Sequence, residues 1–351
     1  MTSLEEGTQM GATKLSYRLR VLSGARFSKL NEKLSYIHSI SGRSKAWLLK
    51  DIIHCARKFG SGYNDYTTYH FWKLDDATRD TYITRFRSKA LVTQMNDPEY
   101  VHFFDNKNEF DERFAEYEKR SFVDVESASD EEIREYFAGR DKTFAKMKDL
   151  SCGTGAEKLY MKDFRDADQF CAYVREKGFG VLEDVLENHP DLQEINPYCL
   201  NTVRMITLIG DDGKPYLFFA ALKFGLEKRV VDVFGMHAPV DLETGVCNYP
   251  FHSGETSLDR FYTEHPVTHK NVIGFKVPFW EEARELALRA AMEIPQVRYV
   301  GWDMAITPDG PAIIEGNNYS SYDYMQLPKQ SDSTIGVIPD ILKIVPSYKY
   351  K

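Results

Sequence analysis

Cysteine is scarce and unpatterned. Five cysteines (Cys55, Cys152, Cys171, Cys199, Cys247) are spread over 351 residues, odd in number and never in a C-x-x-C pair. That argues against a disulfide framework or a structural zinc site and fits a reducing cytoplasm. Long apolar runs are missing too: no stretch approaches the roughly 18 residues of a membrane span, and the N-terminus lacks the apolar core of a secretory signal. An excess of positive charge is also absent. The net charge of -8 excludes a surface that works as a general polyanion clamp, so nucleic acid is not expected as a partner. No internal repeat or low-complexity run is found. What the chain does have is 42% hydrophobic and 13% aromatic residues, enough for one large or two to three smaller packed domains.

Residues 1–12 read as a polar tail. From there to Lys58 the charges are mostly positive (Arg18, Arg20, Arg26, Lys29, Lys33, Arg43, Lys45, Lys50, Arg57, Lys58) and alternate with Leu, Ile, Tyr and Trp at helical spacing. This is a helical region with a basic face, either solvated or set against an anionic membrane surface or polyanionic substrate. From about Asn96 the pattern becomes mixed α and β. Ser129 and Glu132 form a capping box for a helix through Phe137, which Gly139 closes. Strands are expected over 142–148, 158–161 and 180–185, with a helix over 166–176 between the last two. Two β-rich runs, 201–209 and 215–224, flank Asp211-Asp212-Gly213-Lys214, which reads as a hairpin turn; a two-residue turn at Asp212-Gly213 would put Arg204 and Lys223 on one face, and a three-residue loop would separate them. An amphipathic helix over 280–292 precedes a last pair of strands, 299–307 and 312–317.

That last hairpin carries the chemistry. Pro308 presets φ for a turn, Asp309 follows, and Gly310 can adopt a positive φ, which gives a three-residue loop with Thr307 opposite Pro311. In that register Asp303 faces Glu315, and Asn317 lies two residues further on the same face. Opposed carboxylates repel unless compensated. Mg2+ takes oxygen ligands and commonly shares protein carboxylates with substrate phosphates, so two acids and an amide suit it. An acidic hairpin whose charges simply face water is the alternative. His237, His252, His265 and His269 show no metal-ligand spacing and read as packed or solvated residues, although His237 and Asp232 lie in a run that could approach substrate. Cys152 has no identifiable His partner for nucleophilic work. The run 319–325 reads as packing before substrate wall.

The segments G-W-D-M-A-I-T (301–307) and G-P-A-I-I-E-G-N (310–317) resemble the Asp … Glu-x-Asn metal motif of the ATP-grasp superfamily. More narrowly the chain resembles the sugar-transfer-associated ATP-grasp proteins, over roughly residues 95–330. Asn188-His189-Pro190 and Asn201-Thr202-Val203-Arg204 resemble the stretch after that group's nucleotide hinge. The resemblance implies an α+β ATP-grasp fold, two α+β subdomains gripping ATP, preceded by an N-terminal helical region. The expected units are 1–95 (helical, basic), 96–185 (small subdomain with the glycine-rich loop) and 186–351 (large subdomain with the metal hairpin).

By position, Lys107 and Lys146 stand for the two ATP-binding lysines, and Ser151, Gly153 and Gly155 for the loop over the phosphates. Glu183, Asp184 and Val185 would frame adenine, and Glu187 would accept the ribose hydroxyls. Arg204 stands for the residue on the transferred phosphoryl group, and Lys223 takes a place where the family commonly has arginine. Asp303, Glu315 and Asn317 would hold Mg2+. The resemblance thus implies an Mg-ATP-dependent ligase that makes an acyl phosphate and passes it to an amine. Its small-molecule substrates would include a sugar acid or amino acid, in cell-surface polysaccharide synthesis. The place of work would be the cytoplasm or, through the basic helices, the inner face of the membrane. A sugar kinase and a non-catalytic nucleotide-binding protein at a membrane assembly are the alternatives.

Overall fold

The computed structural model describes residues 27–147, 156–225, 235–254 and 258–350. Ser151, Gly153 and Gly155, with Cys152, Asp232 and the basic residues before Phe27, lie outside the described residues. The described residues open with helices α1 (Phe27–Ser41), α2 (Lys45–Phe59), α3 (Tyr63–Thr68), α4 (Asp76–Arg79), α5 (Arg85–Met95), α6 (His102–Asp105) and α7 (Lys107–Glu118). A small α+β unit follows: β1 (Phe122–Asp124), α8 (Asp130–Phe137), β2 (Lys142–Lys146), β3 (Ala156–Tyr160), α9 (Ala167–Lys177) and β4 (Val181–Glu183). The remainder is α10 (Pro190–Ile195), β5 (Thr202–Ile209), β6 (Pro215–Phe224), β7 (Met236–Pro239), β8 (Phe251–Ser253), β9 (Phe261–Tyr262), α11 (Trp280–Ala290), β10 (Tyr299–Thr307), β11 (Gly310–Asn317) and α12 (Ile338–Ile344).

Local chemistry explains most boundaries. Ser129 caps α8 through its side chain, with Glu132 returning the bond to the Ser129 backbone. Asp166 accepts from the Gln169 N–H to start α9; each such cap is worth about 1 kcal/mol. The expected strand over 142–148 is shorter than its pattern, ending at Lys146.

Two sheets organise the chain. The smaller has the order β1-β4-β2-β3 and its own core, in which Ile133 and Tyr136 of α8 and Phe170 and Val174 of α9 pack with Ala145, Leu159 and Leu182. The larger has the order β11-β10-β5-β6-β7-β8-β9, antiparallel throughout. Side chains alternate across a strand, so its two faces differ. One face sends Val203, Met205, Leu222, Met236, Phe251, Trp302 and Met304 into the main core, where α11 and Phe110, Phe114 and Tyr117 of α7 close over it. Helix α7 therefore packs on the large sheet, although the sequence grouped it with the small one.

The other face is mixed. Ile206, Leu208 and Tyr299 pack under α5 and α12, and beyond them the same face turns polar. The N-terminal helices dock at that side: Tyr66, Tyr69 and Trp72 share a core with Leu327, against which Phe261 and Tyr324 pack, and the Tyr322 hydroxyl donates to Asp65 at 2.7 Å.

Candidate functional site

Asp303 does lie opposite Glu315 and Gly301 opposite Asn317, but the hairpin reaches this register by a different route from the expected one. Its turn has two residues, Pro308 and Asp309, with Thr307 opposite Gly310, and the Thr307 hydroxyl donates to the Gly310 carbonyl at 2.7 Å. A regular ladder from that turn would set Asp303 against Ile314. A β-bulge between Met304 and Asp303 leaves Ile314 unpaired and restores Glu315. Gly310, at φ 112°, occupies a conformation that a side chain would strain.

The neighbouring hairpin behaves alike. Instead of a two-residue turn at Asp212-Gly213, the β5–β6 ladder closes at Ile209 opposite Pro215. A bulge between Thr207 and Ile206 then passes over Phe218 and sets Thr202 opposite Lys223 and Arg204 opposite Ala221. Arg204 and Lys223 thereby share a face, two residues apart in the ladder.

Arg204 and Asp303 are direct cross-strand neighbours and form a buried two-pronged pair, Nε to Oδ1 at 2.5 Å and Nη2 to Oδ2 at 2.6 Å. The remaining arm, Nη1, donates to Ser320 Oγ at 3.2 Å. Lys223 Nζ stands 3.4 Å from Asp303 Oδ1. Burial works against the charge on Asp303, yet Arg204 and Lys223 hold its pKa well below the usual carboxylate range. Burial also opposes the Arg204 charge, and Asp303 outweighs it, so its pKa is raised. Glu315 is an exposed residue of a strand otherwise largely buried, but the protein around it and the Asp303 charge beside it raise its pKa, so that it donates a hydrogen bond to Asp303. Asn317 Nδ2 lies 3.3 Å from Glu315 Oε1. Gly301 is where backbone must come close: a Cβ there would meet Ser320 Oγ at 2.3 Å.

This donor set fits a divalent cation. Two carboxylates that hold a proton between them, with an amide alongside, are where Mg2+ would replace that proton. Among the described residues no group of three or more His, Cys, Asp or Glu forms a metal cluster. A cation that arrives on phosphates needs fewer protein ligands.

A second charged cluster lies under the small sheet. Lys146 on β2 pairs with Glu183 on β4, and Arg120 reaches Glu183 Oε2 at 3.2 Å and Glu118 Oε2 at 3.3 Å. Burial lowers the Lys146 pKa to about 8, with the Lys107 charge adding to the fall. Burial opposes the charge on Glu183, but Arg120 and Lys146 bring its pKa below the usual value. Glu118, fully buried, is pushed up to about 8. Lys107, at the start of α7, is close enough for its charge to act on Asp111, Lys146 and Glu183. Lys107, Lys146 and Glu183 are thus gathered in one place.

The other hinge residues are dispersed. Asp184 accepts from the Ser121 backbone at 2.9 Å and from Arg140 at 2.8 Å, and Glu187, exposed, pairs with Lys142. Val185 is half-buried just past the end of β4.

Arg120 and Ser320 had no signal in the sequence, since neither falls in a motif. Arg120 Nη2 donates to the carbonyl of the bulged Ile314 at 3.1 Å. One side chain therefore ties the Lys146–Glu183 pair to the strand that carries Glu315.

The chain thus combines a small antiparallel sheet with a larger one that carries a carboxylate–arginine hairpin. Residues 168–335 match the family model described as sugar-transfer associated ATP-grasp, the family that this part of the chain resembles. No curated protein matches the chain.

Among solved structures it is similar to an ADP complex of N5-carboxyaminoimidazole ribonucleotide synthetase (13% identity, 64% of this chain and 47% of that one, TM-score 0.39). It is also similar to D-alanyl-alanine synthetase A from Vibrio cholerae (12%, 71% and 62%, TM-score 0.38) and to a D-cycloserine synthetase (12%, 81% and 82%, TM-score 0.38). The chain spans 47% and 62% of the length of the first two.

Proposed function

We propose that this protein is an Mg-ATP-dependent ligase. A substrate carboxylate oxygen attacks the γ-phosphorus and ADP leaves; an amine then attacks the acyl carbon, releasing phosphate and a proton and forming an amide. The observation that carries the reading is the Asp303–Glu315–Asn317 hairpin held in register beside Arg204 and Lys223. Such a site works by positioning and by neutralising charge, and needs no covalent nucleophile.

Asp303, Glu315 and Asn317 would hold Mg2+, which supplies charge neutralisation on the ATP phosphates. Lys107 and Lys146 approach the same phosphates, and Lys146, desolvated and paired with Glu183, keeps its ammonium charge through that partner. Ser151, Gly153 and Gly155 cover the phosphates. Val185 contributes backbone to adenine beside Glu183 and Asp184, and Glu187 exchanges Lys142 for the ribose hydroxyls. Arg204 and Lys223 face the transferred phosphoryl group.

The subdomains that grip ATP are 96–185 and 186–351, behind a helical unit, 1–95. The family's description as sugar-transfer associated supports a uronic acid or amino sugar, or an amino acid joined to one, in cell-surface polysaccharide synthesis. Work in the cytoplasm at the inner membrane face belongs to the same proposal.

The test is ADP release by the full chain over a screen of sugar acids, amino acids and amino sugars, with product masses. Asp303→Asn and Glu315→Gln are expected to lower Mg-ATP-dependent turnover by about 100-fold or more, as loss of one charge-stabilising group does, and to leave the fold intact. Full activity in the double variant contradicts the site. An alcohol phosphate as the stable product makes the protein a kinase instead.

A further inference from the structure

The face of the large sheet that carries Asp303 and Arg204 continues away from the hairpin as a polar row. Lys223 on β6 lies directly opposite His237 on β7, and His237 opposite His252 on β8. The imidazoles are 5.5 Å apart, and the His237 ring is 5.0 Å from that of Tyr324. Strands are about 4.8 Å apart in a sheet, so His237 lies two strand spacings, on the order of 10 Å, from Arg204. The row is open at Lys223, whose side chain is 38% exposed, and closed at His237 and His252, which are buried.

The buried end contains polar atoms with no partner among the described residues: His237 Nε2, His252 Nδ1 and Gln330 Oε1. A buried polar group without a partner costs about 1–3 kcal/mol. The hydrogen bonds these side chains do make fix what two of the atoms require. His252 Nε2 is 2.6 Å from the Leu258 carbonyl, so Nε2 carries the proton and Nδ1 is a bare acceptor. Gln330 spends both amide hydrogens on the carbonyls of His237 and Pro250, at 3.1 and 2.9 Å, so Oε1 can only accept. Burial, with the charge of Lys223 nearby, keeps His237 neutral, its pKa lowered to about 3.

We propose that this row is the subsite for the second substrate, and that it selects a polyhydroxylated, sugar-like molecule that hydrogen-bonds to His237 Nε2 and whose O–H or uncharged N–H groups donate to His252 Nδ1 and Gln330 Oε1. A group that can only accept, such as a carboxylate or phosphate, has no donor at the Gln330–His252 end and is directed to Lys223 instead. The molecule's reacting group then lies toward Lys223 and Arg204, where the transferred phosphoryl group is placed. This rests on the ligase reading and adds the side chains that select its acceptor.

The experiment measures ADP release by the full chain with Mg-ATP. Glucuronate and glucosamine are the hydroxyl-bearing probes; hexanoate and butylamine match their charges without the hydroxyls. Stimulation confined to the hydroxyl-bearing pair is expected. His237→Phe, which keeps the ring, is expected to raise the KM for that pair about tenfold, the equivalent of one hydrogen bond, and to leave the KM for ATP unchanged. His237→Asn, which restores a polar atom, is expected to recover part of the loss. Equal stimulation by hexanoate and butylamine, or an unchanged acceptor KM in His237→Phe, overturns the subsite and leaves the ligase reading standing. A chain that binds Mg-ATP and releases no ADP with any probe overturns the ligase reading and the subsite with it.

Discussion

At the scale of single residues, the electrostatics of the large sheet are set by which charges are compensated. Asp303 is buried with both oxygens on Arg204, so removing either partner leaves a desolvated charge, at a cost of about 3–5 kcal/mol. Conservative replacements are the ones that report on function. His237 shows how a residue with no motif signal becomes informative only when its neighbours are known. Its spacing to other histidines suggested packing, and it is indeed packed, yet its Nε2 has no partner among the described residues.

Burial lowers the pKa of His237 from an ordinary value near 6.5 to about 3, so the unfolded chain takes up this proton first. The sign follows from linkage: the contribution is fully present above pH 6.5 and is lost as pH falls through the window down to about 3. In thermal unfolding between pH 7 and 4.5, His237→Phe is expected to lose melting temperature less steeply on acidification than the unaltered chain. Identical slopes contradict a neutral buried His237. Carboxylates and the other histidines titrate in both proteins and cancel in the comparison.

At the scale of elements, the long strands, the capped helices and the face each residue shares were legible in the sequence, because period and capping chemistry are local. Turn geometry was not. Both hairpins of the site close with a different loop from the one their residues suggested, and both recover the expected pairing through a bulge, at Ile314 and at Phe218. The register of Asp303 with Glu315 was therefore right for the wrong reason, since a one-residue slip reverses every side chain and the bulge supplies the compensating residue.

What holds the Ile314 bulge is a contact no sequence pattern announces, the Arg120 guanidinium on the Ile314 carbonyl. Arg120→Lys keeps a charge beside Glu183 and Glu118 but loses the fork that reaches Ile314. The expected outcome is a rise of about tenfold or more in the Mg2+ concentration needed for half-maximal ATP binding, as for residues that orient metal ligands, with metal-free nucleotide affinity little changed. Calorimetric titration of ATP with and without Mg2+ separates the two. An equal loss in both would assign Arg120 to the nucleotide alone.

At the scale of the whole molecule, the N-terminal helices present two sides of different composition. Their inner side covers the sheet, with Tyr66, Tyr69 and Trp72 packed on Leu327 and Asp65 receiving the Tyr322 hydroxyl. The outer side of α2 is composed differently. Leu48, Ile52, Cys55 and Phe59 are buried, whereas Trp47, Leu49 and Ile53 remain exposed among Lys50 and Arg57, with the Arg43 guanidinium 4.8 Å from the Trp47 ring. Aromatic and apolar groups interleaved with cations are the composition of a helix that lies on an anionic lipid surface, and a net charge of -8 makes this local positive face stand out.

No helix among the described residues is long and apolar enough to cross a membrane, so any attachment through α2 is at the surface. Each basic residue near anionic lipid contributes about 1 kcal/mol; reversing Lys50 and Arg57 to Glu is therefore expected to lower partition onto phosphatidylserine-containing vesicles by tenfold or more. ATP affinity should stay unchanged, because α2 lies away from the hairpin. Co-sedimentation at low and high salt checks this, since the electrostatic part weakens as salt rises. Binding that is equal on neutral vesicles, or that survives the double reversal, would return the basic face to the role of a solvated surface. The site beneath would then act on substrates that diffuse to it.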